Sequence, residues 1–472
     1  MVDTKGLSVK KEDNFVDWYS ELLLKAELAD YAPTRGFMII RPRAYSIWEQ
    51  IQKNFDAVIK EKGVQNAYFP LLIPDSFFKK EAKHAEGFSP ELAYVEQKEE
   101  GQRLAIRPTS ETIMYDSYSK WIRSWRDLPL KLNQWCNVLR WEVKQTKPFV
   151  RTREFLWQEG HCAFATENEA IDNMNEMMNS YQKLVEETLA IPVIVGKKSK
   201  MEKFAGAVTT LTIEALMPDG KALQMGTSHN LGQGFAKAFN VKYKDRNEND
   251  NFVWQTSWGF STRLIGALAM VHGDDKGLVI PPNIALNKLV IVPILFEDSK
   301  KKVLDKCSEI KDKLSESGAL VDDREGYTPG WKFSEWEMKG IPLRIEIGPK
   351  DLDKKQVVIV RRDNGAKEIV SDKELVKRVK EILDDIQKNL YLNARNFLDS
   401  RIDSARDVNQ LVKKLDEGKI VKIFMKDDIK VEEKLKEKTG ANSRIVEEQA
   451  VEGTCIISGE KTKTIAYVAK NY

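Results

Sequence analysis

Cysteine is scarce in this sequence. The 472 residues include four, Cys136, Cys162, Cys307 and Cys455. No two are spaced as a metal knuckle, and they do not form the pattern of a disulfide framework. A reducing cytoplasm is the expected compartment. Long apolar runs are also missing. The longest, such as "LIGALAMV", falls far short of a bilayer span, so no membrane is expected as a partner. The first residues, "MVDTKGLSVKKEDNF", have no apolar core and do not read as a signal peptide. Charge of one sign is not in excess: 75 basic against 72 acidic residues leave +3. Any nucleic-acid contact must therefore be a local patch. Neither GxxxxGK[ST] nor a GxGxxG after a strand is present. Phosphate binding by a glycine loop is thus not indicated, and phosphate would have to be gripped by arginines on a sheet.

The length suggests two to four domains at roughly 100–200 residues each. Residues 42–62 read as an amphipathic helix, with Ile47, Ile51, Phe55 and Val58 at spacings of three and four, Pro42 at its start and Gly63 at its end. An extended segment, "VQNAYFPLLIP", follows. "LPLKLNQWCNVLRWE" alternates as a half-buried antiparallel strand. Thr166 and Glu169 form a capping box before a helix whose methionines, 174 to 178, read as core. "ALQMGTSHNLGQGF" and "VWQTSWGF" read as strands, and "STRLIGALAMVHG" as a helix leaving the last of them. Pro281–Pro282 marks a boundary. Beyond it, strands and helices alternate as in a compact α/β domain, including a hairpin with an Asn364–Gly365 turn. The expected organisation is an α+β domain built on an antiparallel sheet (1–283), an α/β domain (284–390) and a small α+β C-terminal domain (391–472).

The stretch "RWEVKQTKPFVRTREFLWQEGHCAF", residues 140–164, concentrates charge around Trp141, Phe149, Phe155 and Trp157. On a strand, Arg140 and Glu142 would face the same way. A guanidinium is a rigid fork that fits phosphate oxygens, which makes Arg140, Arg151, Arg153 and Arg263 candidates, with Phe155 able to stack a base. On residue type alone, surface ion pairs are the commoner use of such arginines on a strand. The lysine runs at 79–83 and 197–203 read as solvated faces, or as contacts to a nucleic acid. His84 reads as surface and His272 as a helix-end cap.

Order and spacing add to this. "KGVQNAYFPLL" with Pro70, "LRWE…RTREFLWQE" and "SWGFSTRLIGAL" resemble, in the correct order, the three motifs of class II aminoacyl-tRNA synthetases. The third carries Ser261 and Thr262 where glycine and glutamate are usual, but Arg263 fits. Together with "TRGFMIIRP", "RPTSET", "GTSHNLGQ" and "TPGWKFSEWEMKGIPLRIEIGP", the chain resembles the prolyl-tRNA synthetases of the archaeal/eukaryote-like form. The likeness is strongest over about 10–395 and looser over the last 75 residues.

The resemblance implies a class II synthetase fold with an anticodon-binding domain. It implies a proline–tRNA ligase that uses ATP with Mg²⁺ and acts on L-proline and tRNA(Pro) as a homodimer. It assigns ATP binding to Arg140, Glu142, Arg151, Phe155, Gln224, Thr227, Ser261 and Arg263, with Arg140 and Arg263 acting on the reacting phosphates. It assigns proline binding to Thr109, Glu111, Arg140, Trp157, Glu159, His161 and His229. It turns Arg344, Glu346 and Lys350 towards the anticodon, with Arg361 and Arg362 adding backbone contacts. Relatives often hold a zinc through C-terminal cysteines. Here only Cys455 lies beyond residue 307 and the C-terminal segment has no histidine, so no structural zinc is expected. The short interval between His161 and Gln224 implies no editing insertion. The nearest rivals are a class II synthetase for threonine, histidine or glycine, and a synthetase-like protein that binds tRNA without catalysis.

Overall fold

The computed structural model describes residues 6–82, 91–96, 101 and 103–472. His84 and Lys83 lie outside the described residues, and of the lysine run at 79–83 only Lys79 has a described side chain, paired with Asp75. Among the described residues the centre of the molecule is an eleven-stranded sheet. Its strands run in spatial order 402–404, 420–424, 461–469, 442–454, 194–197, 209–216, 222–232, 254–261, 154–164, 130–139 and 65–66. Pairing is antiparallel except at the two margins, where Gln65–Asn66 lies parallel to Leu130–Leu139 and Ile402–Ser404 parallel to Ile420–Phe424.

Alternation along the strands separates two faces. The back face packs on the helix Glu167–Lys183, opened by the expected capping box of Thr166 and Glu169. Met174, Met177, Met178 and Tyr181 are buried there, and the Tyr181 hydroxyl donates to Gln158. The helix Pro42–Glu61 buries Ile47, Trp48, Ile51, Phe55 and Ile59 in the same core; Val58, expected on that face, is exposed, and Ile59 takes its place. The segment after it forms two short strands, Gln65–Asn66 and Leu72–Pro74, rather than one. The first hairpin strand ends at Leu139, so Glu142 sits exposed on a turn. The strand geometry that would align it with Arg140 stops one residue before Arg140.

The small α/β domain has strand order 320–321, 289–293, 343–347, 356–361 and 367–371, the first three parallel and the rest antiparallel. The helix Leu375–Ser400 closes it and runs unbroken through residue 390. Arg362 is spent inside the protein: its guanidinium holds Asp274 at 2.6 and 2.8 Å and ties the small domain to the large one. Arg361 pairs with Asp363 and Asp385. Neither is an unpaired surface arginine. His272 does not cap its helix; its Nε2 lies 2.8 Å from the Leu189 carbonyl, buried, and desolvation pulls its pKa down to about 4.

The C-terminal segment is not a loosely attached appendage. Its strand Asn442–Thr454 pairs with Ile194–Lys197 through Val446 and Lys197 and so extends the central sheet. Lys198, expected on a solvated face, is buried because Glu214 on the next strand accepts its Nζ at 2.7 Å.

Candidate active site

The front face of the sheet carries the site, and register explains its membership. Trp157, Glu159 and His161 lie opposite Cys136, Gln134 and Leu132 on one neighbour and opposite Ser261, Gly259 and Ser257 on the other. Thr227 and His229 continue the same rows. Gln224 and Thr227 are three residues apart, which would put them on opposite faces. A register shift between Gln224 and Gly226 brings both to the front.

Thr109, Glu111, Arg140, Phe155, Trp157, Glu159, His161, Gln224, Thr227, His229, Ser261 and Arg263 all line one cavity of about 240 Å³. A second cavity of about 480 Å³ shares the walls Arg140, Phe155, Gln224, Ser261 and Arg263, and adds Glu142 and Arg151. Every residue expected to bind ATP or proline is therefore at one of these two spaces. Arg153 is at neither: its guanidinium lies 4.3 Å from the Trp141 ring and donates to the Val143 carbonyl.

The first cavity narrows to a buried carboxylate cluster. Glu111 opens the helix Glu111–Trp121, where the N-terminal partial charge favours an anion, and it accepts the Thr109 hydroxyl. Glu159 is more fully engaged. It accepts from the Ser110 amide and hydroxyl, from Gln134 Nε2 at 2.9 Å and from Cys136 Sγ, and faces His161 Nε2 at 3.1 Å. Burial raises the Glu159 pKa, but the His161 hydrogen bond and charge, with Ser110 and Gln134, outweigh it and hold the carboxyl below its ordinary value. Burial likewise lowers that of His161, while Glu159 and the charge of Glu111 raise it further, for a net rise. The other ring nitrogen of His161 faces the Tyr115 hydroxyl at 3.1 Å.

His229 differs from His161. Desolvation and the neighbouring His161 charge pull its pKa down to about 3, so it is a neutral wall. Its Nδ1 meets the Thr210 hydroxyl at 2.9 Å, and Phe204 stacks at 4.7 Å from its ring. The buried Ser257 hydroxyl on the same wall has no hydrogen-bond partner among the described residues. A buried orphan of this kind suits a polar ligand atom.

Among the described residues, Glu111, Glu159 and His161 form a cluster with the spacing of metal ligands. The donors already on Glu159 account for most of its lone pairs. The set is better matched to a cationic amine than to a zinc, which needs ligands free to turn inward.

The second cavity is cationic. Arg140 lies 5.5 and 5.4 Å from the rings of Phe155 and Trp157. Arg263, first residue of the helix Arg263–His272, donates to the Val150 and Gln224 carbonyls at 3.0 and 3.1 Å. Burial, then the charges of Arg140, Arg444 and Arg151, bring its pKa down to about 10, with Glu214 opposing. It remains a cation at neutral pH.

In the small domain, Arg344 and Glu346 lie on a central strand and pair with each other at 2.9 Å, with Arg344 also reaching Glu337 and lying 4.2 Å from the Phe333 ring. Lys350 is apart from them, exposed on the short helix Pro349–Asp353.

Sequence reasoning missed Glu202, Phe204 and Thr210 as cavity walls, and Ser110 and Gln134 as supports of Glu159. "TSE" flags Ser110 by position. Nothing local flags Glu202 or Phe204, which reach the site through a loop.

A model of the class II tRNA synthetase core domain (G, H, P, S and T) matches residues 94–272. One of an anticodon binding domain matches 288–382, and one of a prolyl-tRNA synthetase C-terminal domain matches 408–472. The chain is 50% identical to a proline–tRNA ligase of Oceanobacillus iheyensis over 98% of its own length and 97% of the relative's. It is 48% identical to one of Natranaerobius thermophilus, covering 96% and 95%. To one of the archaeon Cenarchaeum symbiosum it is 47% identical, covering 99% of each. With these likenesses along nearly its whole length, the chain belongs to the proline–tRNA ligase family of class II aminoacyl-tRNA synthetases.

Proposed function

We propose that this protein activates L-proline with ATP and transfers it to the 3′ end of tRNA(Pro). The observation that carries the reading is the junction of two unlike spaces. A small pocket with a carboxylate floor and aromatic walls opens directly onto an arginine-lined cavity. Proline's ring is apolar and compact, which suits Trp157, Phe204 and neutral His229. Its secondary ammonium needs an acceptor, and among the described residues Glu111 accepts one side-chain hydrogen bond, from the Thr109 hydroxyl, which leaves it acceptor capacity. Glu159, already satisfied, acts by fixing His161 and Gln134.

The proline carboxylate attacks the α-phosphorus of ATP, the bond to the bridging oxygen breaks, and pyrophosphate leaves with the electron pair. Arg140 shields the carboxylate and α-phosphate, and Arg263 and Arg151 the outer phosphates. Phe155 stacks the adenine against Arg263. Glu142 takes the adenine amine or orients its turn, and Gln224, Thr227 and Ser261 contact the ribose and phosphates. Mg²⁺ would arrive with ATP and supply further charge neutralisation at the phosphates; Glu202 is the carboxylate lining that cavity that is left to hold it. The terminal adenosine hydroxyl of the tRNA then takes the prolyl group, releasing AMP. No side chain forms a covalent intermediate; positioning and charge carry the rate.

The reading extends to three domains, 1–283, 284–390 and 391–472, in a cytoplasmic homodimer without structural zinc or an editing domain. Arg344, Glu346 and Lys350 meet anticodon bases or phosphates. Tyr45, Val58, Tyr68 and Leu72, exposed on and after the helix Pro42–Glu61, are the apolar surface offered to the second copy. Sedimentation at micromolar concentration should give a dimer; a monomer throughout rejects that part.

Pyrophosphate exchange measured across the twenty amino acids tests the reading. Exchange should depend on proline above all others. Dependence on threonine, histidine or glycine instead, or none at all, rejects it.

A further inference from the structure

The arginine-lined cavity receives one guanidinium from far along the chain. Arg444, on the C-terminal strand Asn442–Thr454, lines it beside Arg140, Arg151 and Arg263. None of the motifs in the catalytic region includes it. Its placement is built rather than incidental. Arg444 is buried, and its Nε and Nη2 both donate to Glu214 Oε2, at 3.0 and 2.9 Å. The other oxygen of Glu214 accepts from Lys198 Nζ at 2.7 Å and from the Thr212 hydroxyl at 2.9 Å.

This cluster has two cations for one anion, all three buried. Lys198 and Arg444 share Glu214, and Glu202 adds attraction for Lys198, so within the triad itself one cation is surplus. A buried surplus charge is costly unless something offsets it. Nη1 of Arg444 has no hydrogen-bond partner among the described residues, although Nε and Nη2 are held firmly. The side chains of the cavity offer four guanidinium groups against the carboxylates of Glu142 and Glu202. A cavity lined in this way is complementary to a polyanion. The Arg444 charge also acts on Arg263, lowering its pKa alongside burial and Arg140. The two cations thus share one anion-binding space.

We infer that Arg444 is a ligand of the outer phosphates of ATP and of the pyrophosphate that leaves, so that the C-terminal domain completes the nucleotide site. The inference rests on the ATP-dependent reading above and adds a residue to it. Glu214 and Lys198 act through Arg444 by setting its orientation. The same docking surface also orients a wall of the site. Asn442 donates to Glu202 at 2.5 Å, and Ser199 donates to Glu432 on the helix Ile429–Thr439 at 2.6 Å, across the joint between the C-terminal segment and the loop that carries Glu202 and Phe204.

The test is direct binding of ATP, pyrophosphate and AMP to the full chain and to Arg444→Gln and Arg444→Lys, by calorimetry. Arg444→Gln should bind pyrophosphate and ATP about 10–100-fold more weakly, as for a lost charge-assisted hydrogen bond. AMP affinity should hold, and Arg444→Lys should recover part of the loss. Pyrophosphate affinity unchanged in Arg444→Gln overturns the inference, and so does an equal loss for AMP, which would mark a general distortion. Should the variants fail to fold, phenylglyoxal modification of the unaltered protein, mapped by mass spectrometry, serves instead. Pyrophosphate should protect Arg444 and AMP should not; equal labelling with and without pyrophosphate overturns it. No amino acid enters these measurements. A failure of proline-dependent exchange in the unaltered protein would strike the functional reading and leave this one standing.

Discussion

His161 Nε2 lies 3.1 Å from Glu159 Oε2 on the floor of the small pocket, and both side chains are almost wholly buried. Each group favours the charged form of the other, which raises the His161 pKa and lowers that of Glu159 against the opposing effect of burial. That coupling makes the pocket sensitive to pH from both sides.

The His161 pKa is raised above its ordinary 6.5 in the folded chain. Its contribution to stability is therefore complete below 6.5 and is lost as pH rises through the folded value. The Glu159 pKa is depressed below 4.5, so its contribution is complete above 4.5 and lost as pH falls through the folded value. The melting temperature should fall above pH 6.5 more steeply in the unaltered protein than in His161→Gln. Parallel slopes would show that His161 does not titrate with folding.

Arg263 lines the cationic cavity from a fixed position, with two backbone carbonyls holding its guanidinium. On the proposed reading, Arg263→Ala removes that charge where negative charge builds on the way to the adenylate. Pyrophosphate exchange should drop by about 10²-fold or more, and Arg140→Ala should do the same. Near-normal exchange in a folded Arg263→Ala protein would contradict the assignment.

Gly160 and Trp258 make a steric prediction. A Cβ on Gly160 would come within 2.2 Å of the Trp258 ring, on the face of the sheet behind the pocket. Gly160→Ala should cost about 1–3 kcal/mol through overpacking and shift the strand that bears Glu159 and His161. Urea denaturation measures the first and the Michaelis constant for proline the second. Unchanged values of both would mean that Trp258 turns aside freely.

What the sequence disclosed and what it hid divide along sequence distance. The Thr166–Glu169 capping box, the Asn364–Gly365 turn and the spacing of Ile47, Ile51, Phe55 and Val58 are local signals; the capped helix and the amphipathic helix form, though Val58 is exposed, and the hairpin forms through a four-residue loop, 362–365, rather than a two-residue turn. Arg140, Phe155, Trp157, Glu159 and His161 could be read because they share one hairpin. Lys198 could not. Its burial depends on Glu214 and on the docking of the C-terminal segment beside it, where Glu432 and Asp427 accept from Ser199 and Lys200, so from the sequence a lysine run reads as solvated surface. Glu202 and Phe204 were hidden by the same joint. Arg362 looked like a nucleic-acid contact because its partner, Asp274, belongs to another domain. The Gln224–Thr227 pair was found by resemblance rather than by period, since the bulge between them breaks the alternation.

Specificity gives the last prediction. Between His161 and Gln224 the chain forms the helix Glu167–Lys183, one further turn and the strands Ile194–Lys197 and Thr209–Leu216, all within the catalytic sheet and its backing. On the proposed reading, without an editing domain, discrimination must come from binding alone. The walls Trp157, Phe204 and His229 exclude side chains larger than proline by clash. They do not strongly exclude smaller ones, because a missing methylene is worth only about 1–3 kcal/mol. Alanine and cysteine both fit within the volume of proline. Each should support pyrophosphate exchange at a measurable rate, cysteine faster than alanine because it fills more of the pocket. The enzyme should leave the resulting ester intact. Purified Ala-tRNA(Pro), followed with and without enzyme, should decay at the same rate in both. Rapid enzyme-dependent deacylation would reject the idea and require a hydrolytic site elsewhere in the chain.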